Sequence, residues 1–569
     1  GGGDICKYFV SGSLYNEGSI FRNAGQRYDY DTSLRYNKYS FRANMDFNVT
    51  KSTVLNVNLA NIYEKFYGPG VEKDKIWSRA FEASPGVYPK EYSDGTLSYP
   101  SMQGGENPWN LLVHSGYREQ FWNSAQSLIG INQDLGDLVT KGLTASIKFS
   151  WDAVNTNTIV RSKTPNQYYA KGRDEDGNLI FGSPIVTGTD ELGLSESGSG
   201  SITTYLEGSI NYNRLFAEKH RVGAMLLYNH KVTNKKLTYS KTLSLPYKYQ
   251  GLAGRVTYAF KDTYFAEFNM GYNGSENFAK GHRWGFFPSI ALGYNISEES
   301  FFEPLRKVIT SMKLRGSWGL VGNDQIGGER FIYMPTINLS GKGFTTGIDQ
   351  NYGLSGPVYT RYENNSITWE VGEKINLGID LQLLNSLNIV VDIFRETRRD
   401  IFQKKGTIPT YLGTGNTDVF GNLAEMKNQG LDLSIDYNKA FSKDFYMNFK
   451  GTFTYAHNEI TKYDEAPKYA FQSKVGQSAN VSQGYLSNGL FLDEAEIDRY
   501  KQQMGSTLGA GDIKYLNVSN MHGYGDDIVD VDDWTWIGNP TVPEIVYGFG
   551  PSFKYKNWDF SFFFQGVAK

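Results

Sequence analysis

From Lys38 to Thr50 the chain alternates without a break. Tyr39, Phe41, Ala43, Met45, Phe47 and Val49 hold the odd positions, and Lys38, Ser40, Arg42, Asn44, Asp46, Asn48 and Thr50 the even ones. Successive side chains of a strand point to opposite faces, so this stretch is a β-strand with one apolar and one strongly polar face. It is longer than the ~5–6 residues usual in soluble sheets and the ~9–11 that cross a membrane at a tilt. After a turn at Thr50-Lys51-Ser52-Thr53 the pattern resumes, with Leu55, Val57 and Leu59 against Asn56 and Asn58. Long two-faced strands joined by tight turns suit a transmembrane β-barrel, because hydrocarbon offers no partner to an unpaired backbone group and only closure removes sheet edges. Phe41, Met45 and Phe47 are expected to face lipid, and Arg42, Asn44 and Asp46 the interior.

The same alternation recurs along the chain. Strands are expected at 7–16, 38–50, 53–61, 118–133, 142–155, 203–214, 221–232, 252–260, 263–272, 286–296, 310–320, 370–383, 387–398, 430–438, 445–457, 543–555 and 557–566. A further pair is expected within 323–365, and a Gly/Ser-rich loop is expected to end at Gly198-Ser199-Gly200. Short turns such as Glu218-Lys219, Lys261-Asp262, Asn385-Ser386 and Lys556-Asn557 alternate with long loops, so tight turns lie at one end of the strands and long loops at the other. That asymmetry marks outer-membrane barrels, and roughly 18–20 strands point to the large, plugged 22-strand class. The fold expected is therefore all-β, one large antiparallel transmembrane barrel over residues 1–569. Propellers and solenoids would show a fixed repeat period, which the sequence lacks.

Composition excludes other classes. Aromatics make up 15% of the 569 residues while mean hydropathy is −0.46, and no run approaches the ~20 apolar residues of a membrane helix. A net charge of −3 gives no reason to expect nucleic acid. One cysteine, Cys6, excludes a disulfide framework. His114, His220, His230, His282, His457 and His522 show no paired ligand spacing, and neither a nucleophile elbow nor a phosphate loop occurs, so no enzyme is expected. No cofactor is expected either, save a structural Ca²⁺ in the acidic 511–533 loop, where Asp526, Asp530 and Asp532 are the candidate ligands; a solvated acidic loop is the alternative.

The long loops are crowded with aromatic residues: Trp77, Tyr88, Tyr92 and Trp109 in one, Tyr168 and Tyr169 in the next, then Trp284, Tyr359, Tyr362 and Tyr411, with Trp534 and Trp536 in the last. A sugar ring presents an apolar C–H face between hydroxyls, which suits an aromatic platform beside Asn, Asp and Arg. At least one of Trp77, Trp109 and Trp284 is expected to contact an oligosaccharide. The alternative for each ring is loop packing or an interfacial girdle.

Several segments resemble one family. Lys313-Leu314-Arg315-Gly316-Ser317-Trp318-Gly319-Leu320-Val321-Gly322-Asn323-Asp324-Gln325-Ile326-Gly327-Gly328, Trp369-Glu370, Asn376-Leu377-Gly378-Ile379-Asp380, Lys427-Asn428-Gln429-Gly430-Leu431-Asp432, Ile537-Gly538-Asn539-Pro540 and Asp559-Phe560-Ser561-Phe562-Phe563-Phe564-Gln565-Gly566 are similar to barrel segments of SusC/RagA-type TonB-dependent outer-membrane transporters of Bacteroidetes. The resemblance spans nearly the whole chain. It implies an N-terminal plug and final strands outside this chain, energy delivered by TonB-ExbB-ExbD through that plug, a SusD-like surface lipoprotein as lid, and location in the outer membrane. It also implies active import of an oligomeric nutrient, oligosaccharide first and oligopeptide second. A passive porin and a soluble β-rich binding or adhesion module stay as alternatives at this point.

Overall fold

The computed structural model describes residues 1–569 except 22–26, 85, 101–104, 237–240, 327–329, 410, 412–416, 504–506 and 525–526. The chain divides into two compact units, Gly1–Ile210 with Tyr228–Tyr249 and Asn211–Leu227 with Gln250–Lys569.

In the first unit β1 (Cys6–Glu17), β2 (Arg35–Asn48), β3 (Thr53–Pro69), β4 (Gly116–Asp134) and β5 (Leu143–Ser162) pair in sequence order, each antiparallel to the last. The register aligns the alternation of every strand. Tyr8, Met45, Val57, Ile129 and Phe149 stand side by side on one face. One residue along, Lys7, Asp46, Asn56, Gly130 and Lys148 form a row on the other. A slip of one residue in any pair would mix the rows, so the apolar face itself enforces register. The polar face is tied laterally: Asn56 Nδ2 donates to Asp46 Oδ1 at 2.6 Å and Lys148 pairs with Glu207 at 2.9 Å. Phe41, Met45 and Phe47 lie on one face of β2 and Arg42, Asn44 and Asp46 on the other.

β6 (Gly193–Phe216), β7 (His220–Lys236) and β8 (Tyr247–Phe260) have residues in both units. β6 corrects one expectation, because Gly198-Ser199-Gly200 lies within it. Small residues without propensity are carried there by pairing, with the Thr156 and Ser199 hydroxyls 2.6 Å apart.

In the second unit β9 (Tyr264–Ser275), β10 (Trp284–Asn295), β11 (Ile309–Asn323), β12 (Glu370–Leu383), β13 (Leu387–Lys404), β14 (Phe420–Ala440), β15 (Phe445–Lys462) and β16 (Ile545–Tyr555) continue the meander. One apolar row crosses all eight: Tyr264, Tyr294, Leu314, Ile379, Val391, Leu433, Phe453 and Tyr547. The final hairpin departs from the expected single strand 557–566. It is split into β17 (Trp558–Ser561) and β18 (Phe564–Ala568), both paired to β16 in one register. The break falls where Pro551 faces Phe562: proline has no N–H to give the ladder, and only the Phe562 amide donates there, at 3.0 Å. Eighteen strands carry the meander among the described residues, seven before residue 240 and eleven after it, within the number expected.

The pair expected within 323–365 exists as a two-stranded ribbon, Thr336–Thr346 with Tyr352–Arg361, paired through shifted register and joined to the loop 405–419 by an isolated bridge from Arg361 to Asp418. Its glycine- and serine-rich sequence lacks the alternation that would hold it in the large sheet. Trp369 packs against Phe278 and Phe287, and all three rings are buried, as are Ile326, Ile332 and Ile367. Phe287 fits because two strand positions beside it are glycine: a Cβ on Gly285 or Gly322 would overlap its ring.

Candidate functional site

Connections between strands alternate in length along the whole chain. Residues 49–52, 135–142, 217–219, 261–263, 384–386, 441–444 and 556–557 are short turns, whereas 18–34, 70–115, 163–192, 324–369, 405–419 and 463–544 are long loops. Among the fully described connections, 276–283 and 296–308 break the length rule, the second being folded into two 3₁₀ turns. Within each unit the long loops thus leave one end of the strands, and that end is where side chains from distant sequence meet.

In the first unit three loops interlock. Arg27 donates twice to the Glu91 carboxylate, at 2.8 and 3.1 Å, and this pairing holds the Glu91 carboxyl below its ordinary range. The loop 70–115 pairs with 163–192 through Tyr99 N to Tyr168 O at 2.8 Å and Tyr168 N to Leu97 O at 2.9 Å. His114, which ends the helix Pro108–Val113, is buried with Nδ1 2.5 Å from the Tyr28 hydroxyl. Burial first, then the charges of Arg27 and Lys163, push its pKa down to about 4 from 6.5, Glu91 opposing. The folded state therefore binds fewer protons than the unfolded chain between those values. Its contribution to stability is complete above about pH 6.5 and is lost as pH falls toward 4, by about 3 kcal/mol at most. Hydrogen exchange across 107–117 is expected to quicken over that window in the wild type and not in His114→Gln; parallel profiles would show that His114 is not the cause.

In the second unit a recess of about 330 Å³ opens on the polar face at the long-loop end. Three strands build it by register: Glu396 and Arg398 of β13, Met426 and Asn428 of β14, Ala456 and Asn458 of β15. The loop segments with Ala479, Asn480, Val542, Pro543 and Glu544 complete it. Arg398 Nη2 donates to Glu396 at 3.1 Å, and Lys374 lies 3.6 Å from the same carboxylate. Asn458 Oδ1 accepts from Ala479 N at 2.9 Å and from Ser478 Oγ at 3.1 Å. Glu544 is joined to His457 Nδ1 at 2.6 Å. Sequence reading missed these residues. The available signal was their place at the polar positions of strands just before long loops.

The aromatic residues singled out by sequence are dispersed. Trp109 lies under Lys90 at 4.0 Å and Arg27 at 5.3 Å, and its Nε1 donates to Glu91, so its ring is already covered by cations. Tyr92 accepts from Ala170 N at 3.0 Å and packs edge-on against Phe181, as does Tyr168. Tyr88 is half-buried. Trp77, on the helix Lys73–Glu82, stacks 5.0 Å from Phe21 and keeps part of its surface open. Tyr169, Tyr359 (stacked on Tyr362), Tyr411 and Trp534 are exposed. Trp536 is tied through Nε1 to Ser473 O at 2.9 Å. A ring cluster that sequence reading did not select, Tyr469, Phe471, His522 and Tyr524, has centroids 4.3–6.2 Å apart.

The acidic loop is used by the protein itself. Asp530 caps a 3₁₀ turn by accepting from Asp532 N at 2.8 Å, Asp532 pairs with Lys468, and buried Asp533 accepts from Ser519 N at 2.8 Å and Asp530 N at 2.9 Å. Asp526 lies outside the described residues. Among the described residues no group of three or more His, Cys, Asp or Glu is placed to hold a metal ion.

A model of the TonB-dependent receptor-like β-barrel matches residues 79–564, most of the chain. The chain belongs to that family. Among similar proteins, TonB-dependent receptor P3 of Formosa agariphila is 24% identical over 99% of this chain and 56% of its own length. TonB-dependent receptor SusC of Bacteroides thetaiotaomicron is 30% identical over 54% of this chain and 30% of its own. The solved structure of the RagAB peptide transporter superposes with a TM-score of 0.70 at 18% identity, covering 99% of this chain and 60% of that one, which shows the shared fold. The chain spans 56% of the length of TonB-dependent receptor P3 and 60% of the matched RagAB chain. As a TonB-dependent receptor barrel it resides in the outer membrane, where the rows led by Met45 and Leu314 suit lipid and the rows led by Asp46 and Arg315 suit the interior. By the rule for such barrels the long loops are extracellular. Trp284 takes a different meaning here. It stacks on Tyr272 at 4.8 Å and shares the outward face with Phe286, Ile290 and Leu292, the position of a girdle aromatic.

Proposed function

We propose that this chain is the barrel of an energised importer that carries an oligomeric nutrient across the outer membrane, and that it transports rather than catalyses. The observation that carries the reading is the gathering of hydrogen-bonding and aromatic side chains at the extracellular end of strands whose inner face carries most of the polar residues. A wide barrel with such a lining leaks unless plugged, so a plug and TonB-delivered energy belong to the reading, as does a SusD-like surface lipoprotein closing the extracellular mouth. Oligosaccharide is the first substrate class, supported by rings that remain exposed, Trp77, Tyr169, Tyr359, Tyr411, Tyr524 and Trp534. Oligopeptide is the second, favoured by the aromatic-free recess around Arg398. Cells that lack TonB are expected to bind substrate through the intact receptor yet fail to accumulate it. Undiminished uptake in those cells would replace the importer by a passive porin.

A further inference from the structure

The recess built by β13, β14 and β15 is rich in donors for a physical reason. The acceptor oxygen of Asn458 is locked by the Ala479 amide and the Ser478 hydroxyl, which turns its Nδ2 hydrogens away from both. No partner for those hydrogens, or for the side-chain amides of Asn428 and Asn480, occurs among the described residues. Arg398 spends only Nη2 on Glu396, leaving Nε and Nη1 open. The Glu396 carboxylate is shared between Arg398 and Lys374, which lies just outside the lining, so it is paired from both sides. The other carboxylate at the rim, Glu544, is engaged by His457. Nothing in the lining offers a ring face; the remaining surface is aliphatic, from Met426, Ala456, Ala479, Val542 and Pro543.

We propose that this recess is a carboxylate-binding subsite for the transported oligomer, with Arg398 forming the ion pair and Asn458 the adjacent hydrogen bond. The inference rests on the importer reading and narrows it to oligomers that carry a carboxylate. A planar guanidinium with two free N–H groups matches a carboxylate, and an amide donor fixed by the backbone loses little entropy in joining it. Two sources supply the same chemistry, a uronic acid residue or a peptide C-terminus.

The experiment measures binding to the intact receptor in detergent by calorimetry, with trigalacturonate against its methyl ester and trialanine against its C-terminal amide. The expected result is that in one pair the free acid binds about tenfold more tightly, which also names the source. Arg398→Gln is expected to abolish that preference, and so is Asn458→Asp, which keeps the acceptor for Ala479 N but turns the donor into a repelling carboxylate. Unchanged circular-dichroism spectra and thermal melting of both variants in detergent separate loss of the subsite from loss of folding. Absence of a preference for the acid in both pairs, including absence of binding, overturns the proposal. Uptake without TonB combined with a clear acid preference would instead sink the importer reading and leave the subsite standing.

Discussion

Met45→Arg is expected to destabilise the barrel by ~2–4 kcal/mol, while Asn44→Arg one residue away costs much less. Met45 sits midway along the apolar positions of β2, between Phe41 and Phe47, and its register neighbours are Tyr8 and Val57. A guanidinium there meets hydrocarbon with no carboxylate in the row. Asn44 stands on the inner face opposite Asn58, beside the Asp46–Asn56 hydrogen bond, where a cation finds polar neighbours. Refolding both variants into lipid vesicles and titrating with urea reads the difference. Equal losses would mean that the two faces of β2 are assigned wrongly.

Arg315→Leu is the second large effect, expected at about 2 kcal/mol. Arg315 of β11 reaches two carboxylates on the inner face: Nε to Asp380 at 3.0 Å, and Nη1 and Nη2 to Asp392 at 2.8 Å each. The geometry is possible because Gly378 lies across the strand pair, where a Cβ would press on the guanidinium at 2.7 Å. Removing the cation leaves two carboxylates facing each other without a counter-charge. That mechanism costs ~3–5 kcal/mol in a closed core, and partial exposure of all three groups reduces it. The triple variant Arg315→Leu with Asp380→Asn and Asp392→Asn is expected to regain most of the loss, because the penalty is uncompensated charge. Failure to recover would show that Arg315 acts by packing.

The fold was legible because its signal is local and periodic. In β14, Leu431, Leu433, Ile435 and Tyr437 against Asp432, Ser434, Asp436 and Asn438 announce both faces before any partner is known. Strand ends were less legible: β14 begins at Phe420 and β15 reaches Lys462, beyond the expected 430 and 457, since above the lipid no hydrophobic face is needed and ladder pairing alone extends the strand. The same gap in signal hid Gly198-Ser199-Gly200 inside β6. The candidate site was least legible. Aromatic residues are conspicuous in a sequence, yet Trp109 is covered by Lys90 and Arg27, and Trp284 stands on the lipid side. Glu396, Arg398, Asn428 and Asn458 are ordinary polar residues of alternating strands until register sets them side by side.

What the amino-acid sequence determined by itself is the number, direction and two-sidedness of the strands, and the sorting of connections into short and long. Each of these depends on residues within a dozen positions of one another, through the two-residue period of a strand and the chemistry of turns. Only the tertiary structure decided which loop residues meet and which of their hydrogen-bonding groups stay open. Asn458 became a donor because Ala479, twenty-one residues on, folds back to take its oxygen. His114 became hard to protonate because Tyr28 and Arg27, from another loop, enclose it. Those properties belong to long-range contacts, and no local pattern carries them.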